Sequence, residues 1–360
     1  MKVNIKVKSP VHIGSGDKYG ASEYIKGKGK FNKKIVDTIK RIDVSQYFLS
    51  LNDDDKDKFV KNLSVKSFNL KSIDSNLNNF KKYTAINKCN ELKYNKEIFE
   101  SIKTLNQLYI PGSSIKGAIK TAIFYHSLDF DDINNIIKFG NVDFSKFNNL
   151  VKNKFVSKYA NNKAQGDIMR FLQVSDSSNR KVPSIYDVFP LMAKSIGDRD
   201  FYEERQEKTS FIETIDVDSN LKFNIYNNFD KKVYSNLKFG DKINMIDIDN
   251  IKKAIYIFSK SLINHEIEFS EKYGVDNLYS FYNKLEKSNS MDTPLLKIGS
   301  GSGFLATTIS LKIKKQNKDY YNRLRNSLKT RTYSYEFPKS RKVTSKGGKP
   351  LGWVQLTFEE

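Results

Sequence analysis

A single cysteine, Cys89, leaves this 360-residue chain unable to form an internal disulfide or a multi-cysteine zinc site. Three histidines in all exclude a histidine-rich metal cage. No apolar run approaches the ~20 residues needed to cross a bilayer. The N-terminus, Met1 to Lys8, alternates like a strand and lacks the continuous apolar core of a signal peptide. A cytoplasmic protein without a membrane partner is expected. Acidic residues are also short: 41 Asp and Glu face 62 Lys and Arg, a formal charge of +21. Such a field attracts polyanions, whether nucleic acid, anionic membrane or acidic protein. A generally basic, solvated surface would give the same sum, because lysine is abundant throughout.

Aromatic residues, by contrast, are plentiful. With 25 Phe, 20 Tyr and 38% apolar residues there is material for a packed core, which excludes a disordered polyelectrolyte. The length suits about two domains, or one domain with large insertions. Val3, Ile5 and Val7 define one face of a first strand. Gly352 to Phe358 reads as a last strand, and the two ends are expected in one sheet of an α+β fold. Ile115, Ala118, Ile119, Ala122 and Ile123 mark one face of a helix, with Ser113 or Ser114 as its N-cap. Ile251, Ala254, Ile255, Phe258, Leu262, His265 and Phe269 mark a long amphipathic helix. The pieces 211–215 and 221–226 read as a hairpin, 295–313 as β-like around a glycine loop, and 320–331 as a basic helix. The α+β core is expected at approximately 1–30, 105–130, 165–240, 295–313 and 350–360. Largely helical insertions are expected at approximately 31–104 and 241–290.

Four groups of residues bear on chemistry. The loop Gly299-Ser300-Gly301-Ser302-Gly303 lets backbone approach a partner closely and aims N–H groups at a phosphate. A dinucleotide site would need a helix after it, and the β-branched stretch 306–311 reads as strand instead. A flexible linker is the plain alternative. Next, the helix start Ser113-Ser114-Ile115-Lys116, with Lys120 one turn on, is a ready phosphate contact or an ordinary capped helix. Basic residues interleaved with tyrosines run from Tyr320 through Arg323, Arg325, Arg331, Arg341 and Lys342, as for single-stranded nucleic acid. The same tyrosines equally suit a core. A basic pair, Arg180 and Lys181, continues the loop after Phe171–Ser177. Finally, His12 could act as a general base but has no sequence neighbour to assist it. Asp198/Asp200 and Asp53–Asp55 lie in polar runs that read as solvated loops, so no metal and no cofactor is expected.

Taken together, Ser9-Pro10-Val11-His12-Ile13-Gly14-Ser15-Gly16, Ile110-Pro111-Gly112-Ser113-Ser114-Ile115-Lys116-Gly117, Phe171 to Ser177, Gly299 to Phe304 and the closing Pro350-Leu351-Gly352-Trp353 resemble the RAMP superfamily of CRISPR effector proteins. Within it the chain resembles the subunit that caps the CRISPR-RNA 3′ end in type III-A Csm complexes. The resemblance implies a modified ferredoxin-like (RRM-like) fold with the glycine loop facing RNA. It also implies a non-catalytic subunit that holds the 3′ part of the CRISPR RNA and assists maturation and assembly. Expected partners are CRISPR RNA, the repeated backbone RAMP subunit and other Csm subunits, target RNA nearby, and host nucleases. Candidate RNA contacts are His12, Gly14, Gly16, Ser113, Ser114, Lys116, Lys120, Arg180, Lys181, Gly299, Ser300, Gly301, Ser302, Gly303, Arg323, Arg325, Arg331, Arg341 and Lys342. The runner-up is a RAMP endoribonuclease using His12.

Overall fold

The structure, a computed structural model, describes residues 1–63, 70, 77–92, 96–137, 144–327 and 336–359. Alternation places Val3, Ile5 and Val7 of the first strand, Lys2–Val7, in the core. That strand lies between Asn220–Asn227 and Trp353–Phe358, antiparallel to both, so the chain ends share a sheet as expected. Leu295–Lys297 and Leu172–Val174 complete this terminal sheet at its two edges. Ile5 stands opposite Leu221 on one side and Leu356 on the other.

Two long helices cover the terminal sheet. The first, Gly112–Ser127, buries Ile115, Ile119, Ala122 and Ile123, the face that its periodicity predicts. All seven residues predicted for the second, Ile248–Lys272, are buried. The helices pack on each other. Tyr125 meets Phe258 at 4.9 Å between ring centroids, and its hydroxyl lies 2.8 Å from Ser261 Oγ.

The remaining strands form a larger sheet in the order Gly14–Tyr19, Ile98–Ser101, Ser210–Thr214, Ser184–Ile196, Lys81–Asn87, Lys34–Ile42, Tyr24–Phe31. Arg199–Glu204 and Ser340–Thr344 also pair with the long strand Ser184–Ile196. Its centre is a buried carboxylate. Glu213, fully buried, accepts hydrogen bonds from Tyr19 and Tyr83 at 2.8 and 2.6 Å and pairs with Lys103 at 2.5 Å. Three strands of the large sheet and the short strand Lys103–Thr104 are thereby tied to one charge, which the low dielectric makes costly to leave unpaired.

Several sequence expectations are corrected here. Residues 31–104 are not largely helical: they supply three strands of the large sheet, alongside the helices Val44–Ser50 and Asp53–Leu63. The hairpin Tyr24–Phe31/Lys34–Ile42 lacks clean alternation because neither face of its distal half, 26–37, is buried. The 241–290 stretch is helical. The pieces 211–215 and 221–226 make no hairpin: Ile212 pairs with Tyr186 in the large sheet, whereas Leu221 pairs with Ile5 in the terminal sheet. The stretch after the glycine loop is helical, over Gly303–Thr307 and Ser310–Gln316, because Leu305, Ala306, Ile309, Leu311 and Ile313 all bury against the core.

His265 sits within the second helix with its Nε2 buried and unpartnered. Burial lowers its pKa to about 4, against a smaller opposing effect of Glu266. Between pH 6.5 and 4 the unfolded chain therefore carries a proton that the folded chain refuses, and stability falls on acidification. This group contributes a loss on the order of 3 kcal/mol across that window. Urea unfolding at pH 7 and pH 4.5 should show His265→Leu losing clearly less stability than wild type. Equal losses would mean that His265 titrates normally in the fold.

Candidate nucleic-acid interface

Three backbone segments meet where the terminal sheet ends. Lys8 and Ser9 amides donate to the Trp353 carbonyl, and the Trp353 amide donates to Ser9 Oγ at 3.0 Å. The Gly352 amide donates to Pro10 O, Ile298 N to Gly352 O at 2.8 Å, and Ser300 N to His12 O at 2.9 Å. Such close approach requires glycine. Gly299 has φ +70°, and a Cβ there would stand 2.5 Å from the His12 carbonyl oxygen; Gly352 has φ +86°, and its Cβ would stand 2.2 Å from Ile298 O. The glycine loop is therefore a packed corner and not a linker. The preceding strand runs antiparallel to its neighbour, unlike the parallel strand that a dinucleotide fold needs.

Behind the loop lies a cavity of about 180 Å³ lined by Gly301, Ser302, Gly303, Lys297, Arg341 and Lys342, among others. Strand alternation turns Arg341 inward with Val343, so Arg341 is not a surface contact. Its Nε bonds Glu266 Oε2 at 2.6 Å, its guanidinium lies 3.9 Å from the centroid of the Phe269 ring, and its Nη2 is buried without a partner. Burial pushes the Lys297 ammonium down to about 8, opposed by Glu266 and helped by Arg341. Lys297 and Glu266 escaped sequence reading. The signal for the first was its place two residues before Gly299; Glu266 carries no signal beyond lying on a buried helix face.

His12 is a tie. Its Nδ1 lies 2.7 Å from the Glu213 carbonyl oxygen and 2.9 Å from Ser101 Oγ, and burial lowers its pKa. With Nδ1–H given to that carbonyl, only Nε2 of the neutral ring remains. Gly14 stands beside it, and Gly16 is left-handed at φ +97° on the exposed strand Gly14–Tyr19.

The helix start forms a second corner. Pro111, not Ser113 or Ser114, is the N-cap, and both serines lie inside the helix. The loop 175–180 stitches to the chain just before it: Gly112 N donates to Asp176 Oδ1 at 2.7 Å, Ile110 N to Ser177 Oγ at 2.9 Å. A carboxylate of the chain itself thus takes the first amide of the helix. Lys120 pairs with Asp167 at 3.0 Å, and Lys116 is half-buried with its pKa lowered by that burial. Arg180 and Lys181 are exposed. Tyr320 and Tyr321 are core residues of the helix Lys318–Ser327, which presents Arg323 outward and half-buries Arg325. Arg331 lies outside the described residues. The two corners sit on neighbouring elements, because helix Gly112–Ser127 packs against Gly303–Thr307. Asp200 is engaged by Ser195 and Lys272. Among the described residues no group of three or more His, Cys, Asp or Glu could hold a metal ion, and no helix is long and apolar enough to cross a membrane.

The segments that carry the sequence resemblance are those that meet at these corners, and residues 4–306 match the RAMP superfamily. The chain belongs to the RAMP superfamily. Among curated RAMP relatives, the CRISPR system protein Csm5 of Methanocaldococcus jannaschii is 25% identical over 395 aligned positions, spanning 100% of this chain and 89% of its own. A chain in the cryo-EM structure of a type III-A Csm–crRNA–target RNA ternary complex has the same fold, with TM-score 0.71 and 22% identity over 99% of this chain and 100% of that one. The crystal structure of T. onnurineus Csm5 matches with TM-score 0.64 and 21% identity, covering 98% and 99%.

The packing role of the loop gives a graded expectation. Gly299→Ala combines a left-handed backbone with overlap on His12 and should cost about 3 kcal/mol or more. Gly303 is also left-handed, at φ +67°, but its Cβ would meet nothing within 4 Å. Its alanine variant should cost about 1 kcal/mol. Urea midpoints of the two variants measure the difference, and equal costs would remove the packed corner from the argument.

Proposed function

We propose that this chain is a non-catalytic RNA-binding subunit of a type III-A CRISPR effector. It holds the 3′ part of the CRISPR RNA and assists maturation and assembly. The observation that carries this reading is the end-to-end alignment with the M. jannaschii Csm5 protein. The fold shared with a chain of a Csm–crRNA–target RNA complex supports CRISPR RNA, Csm subunits and nearby target RNA as partners. Recruitment of host nucleases and a cytoplasmic location belong to the same reading.

A ferredoxin-like core is supported by strand order. Taking Lys2–Val7, Leu172–Val174, Asn220–Asn227 and Trp353–Phe358 as strands one to four gives a 4-1-3-2 antiparallel sheet. Helices follow strands one and three, in the β-α-β-β-α-β sequence. The large sheet is then built from three elaborations: 14–101 between the first strand and its helix, 184–214 between strands two and three, and Ser340–Thr344 before strand four. RNA would lie along the corner made by Gly301–Gly303, Lys297 and Lys342, with Arg323, Arg180 and Lys181 as outlying phosphate contacts. Phosphate contacts position a strand without reading bases, which suits a subunit that accepts any guide sequence.

Titration of the chain into end-labelled CRISPR RNA at several salt concentrations tests this. Binding of about five phosphates gives a log–log salt slope near −3.5. The RNA should stay intact on denaturing gels. Cleavage that disappears in His12→Ala would replace the assembly role by an endoribonuclease. Lys297 adds a pH signature: its charge is lost as pH rises through about 8. Affinity should weaken between pH 7 and pH 9, and Lys297→Arg should flatten that decline. An identical decline in the variant would take Lys297 out of the interface.

A further inference from the structure

Away from both corners, a cleft of about 690 Å³ opens between the end of helix Phe144–Phe155, the turn 156–163 and the stretch 238–242. Five lysines line it, Lys152, Lys158, Lys163, Lys238 and Lys242, with Asn153, Asn161 and Asn162 and no carboxylate. None of the five makes an ion pair among the described residues, although Lys154 and Lys120 close by find Asp132 and Asp167. The walls are fixed: Ser157 Oγ donates to Leu237 O, and Lys242 Nζ donates to Val156 O at 2.7 Å. Burial and the neighbouring Lys154 and Lys158 lower the Lys242 pKa, the mark of a crowded positive site.

Two further features stand at the rim. Tyr159 is half-exposed, with Lys158 and Lys238 at 5.3 and 5.0 Å from its ring centroid. Lys238 holds a left-handed backbone, φ 41° and ψ 54°, which costs free energy in a residue with a Cβ. Compact ammonium groups bind phosphate oxygens as point charges, without the fixed fork that arginine brings. An exposed aromatic beside them suits an unpaired base. The cleft also adjoins the first helix, since Lys120 lies 5.0 Å from the centroid of the Phe155 ring.

We infer that this lysine cleft is a second phosphate-binding site, holding the backbone of a single-stranded RNA segment that continues past the first helix. The inference rests on the RNA-binding reading above, and the test separates them. The full chain and a Lys152→Ala/Lys158→Ala/Lys163→Ala/Lys238→Ala variant, leaving Lys242 to its structural bond, are titrated with labelled single-stranded RNA across salt concentrations. If the cleft holds about three phosphates, the variant's slope is shallower by about 2. Arginine at the same four positions restores it. Unchanged thermal unfolding confirms that the alanine variant is folded, and Lys158→Ala/Lys238→Ala, with half the change, serves if it is not. Wild type that binds no RNA overturns the functional reading. Wild type that binds with a slope the variants leave untouched overturns the cleft alone. Two controls also overturn it: ATP bound by the cleft without effect on RNA slope, which marks a free-nucleotide site, and polyglutamate bound more tightly than RNA, which marks an acidic protein partner.

Discussion

The Gly352 backbone lies so close to the Ile298 carbonyl that a side chain there would overlap it, and this approach registers the whole molecule. Through Gly352 the last strand is fixed to the segment after the first strand, by its amide on Pro10 O, and to the glycine loop, by its carbonyl on Ile298 N. The first strand can therefore sit between 220–227 and 353–358 in one register only, with Val3, Ile5 and Val7 facing inward. A slip by one residue would turn all three to water. The glycine loop inherits its shape from that lock, with Ser300 N held by His12 O and Ser302 N by Gly299 O.

Two buried charge systems extend the lock. Glu213 gathers Tyr19, Tyr83 and Lys103 within the large sheet, while its backbone carbonyl takes His12 from the first loop. Glu266 takes Arg341 from the strand Ser340–Thr344, joining the second helix to the edge of the large sheet. Each carboxylate would be expensive to bury alone, so each requires its partner element to be in place. Such pairing commits both partners, because removing either leaves a buried charge uncompensated. Its consequence for function is that basic residues near the loop divide into two sorts. Arg341 and Lys103 are paired with Glu266 and Glu213; Lys297, Lys342 and the cleft lysines line cavities without an ion pair among the described residues.

Local pattern and tertiary context divided the reading of this chain along clear lines. Helices 112–127 and 248–272 and the terminal strands were legible, because each carries a long apolar period that only one face can bury. The meeting of distant motifs was legible only as a resemblance. Several of the elements that misled have partners far away in sequence, although Lys34–Ile42 pairs in a hairpin with its neighbour Tyr24–Phe31. Strand Lys81–Asn87 pairs with Ser184–Ile196, and 211–215 and 221–226 look like neighbours yet already have partners in different sheets. Ala306 to Leu311 has strand propensity, overridden by the apolar face it buries as helix.

The site divides in the same way. A net charge of +21 and a glycine loop among basic residues are properties of the sequence, and they suit a polyanionic partner and a generally basic surface alike. Composition cannot say which cations are spent internally. Arg341 and Lys342 are adjacent in the chain, yet strand alternation buries one against Glu266 and leaves the other beside the cavity. Lys152 and Lys238 are 86 positions apart, yet they line one cleft. The sequence by itself determined the sign of the chain's own charge and the faces of the long elements, because both follow from local composition and period. Only the tertiary structure decided which lysines stay unpaired and where they converge, because pairing depends on which carboxylates the fold brings within reach.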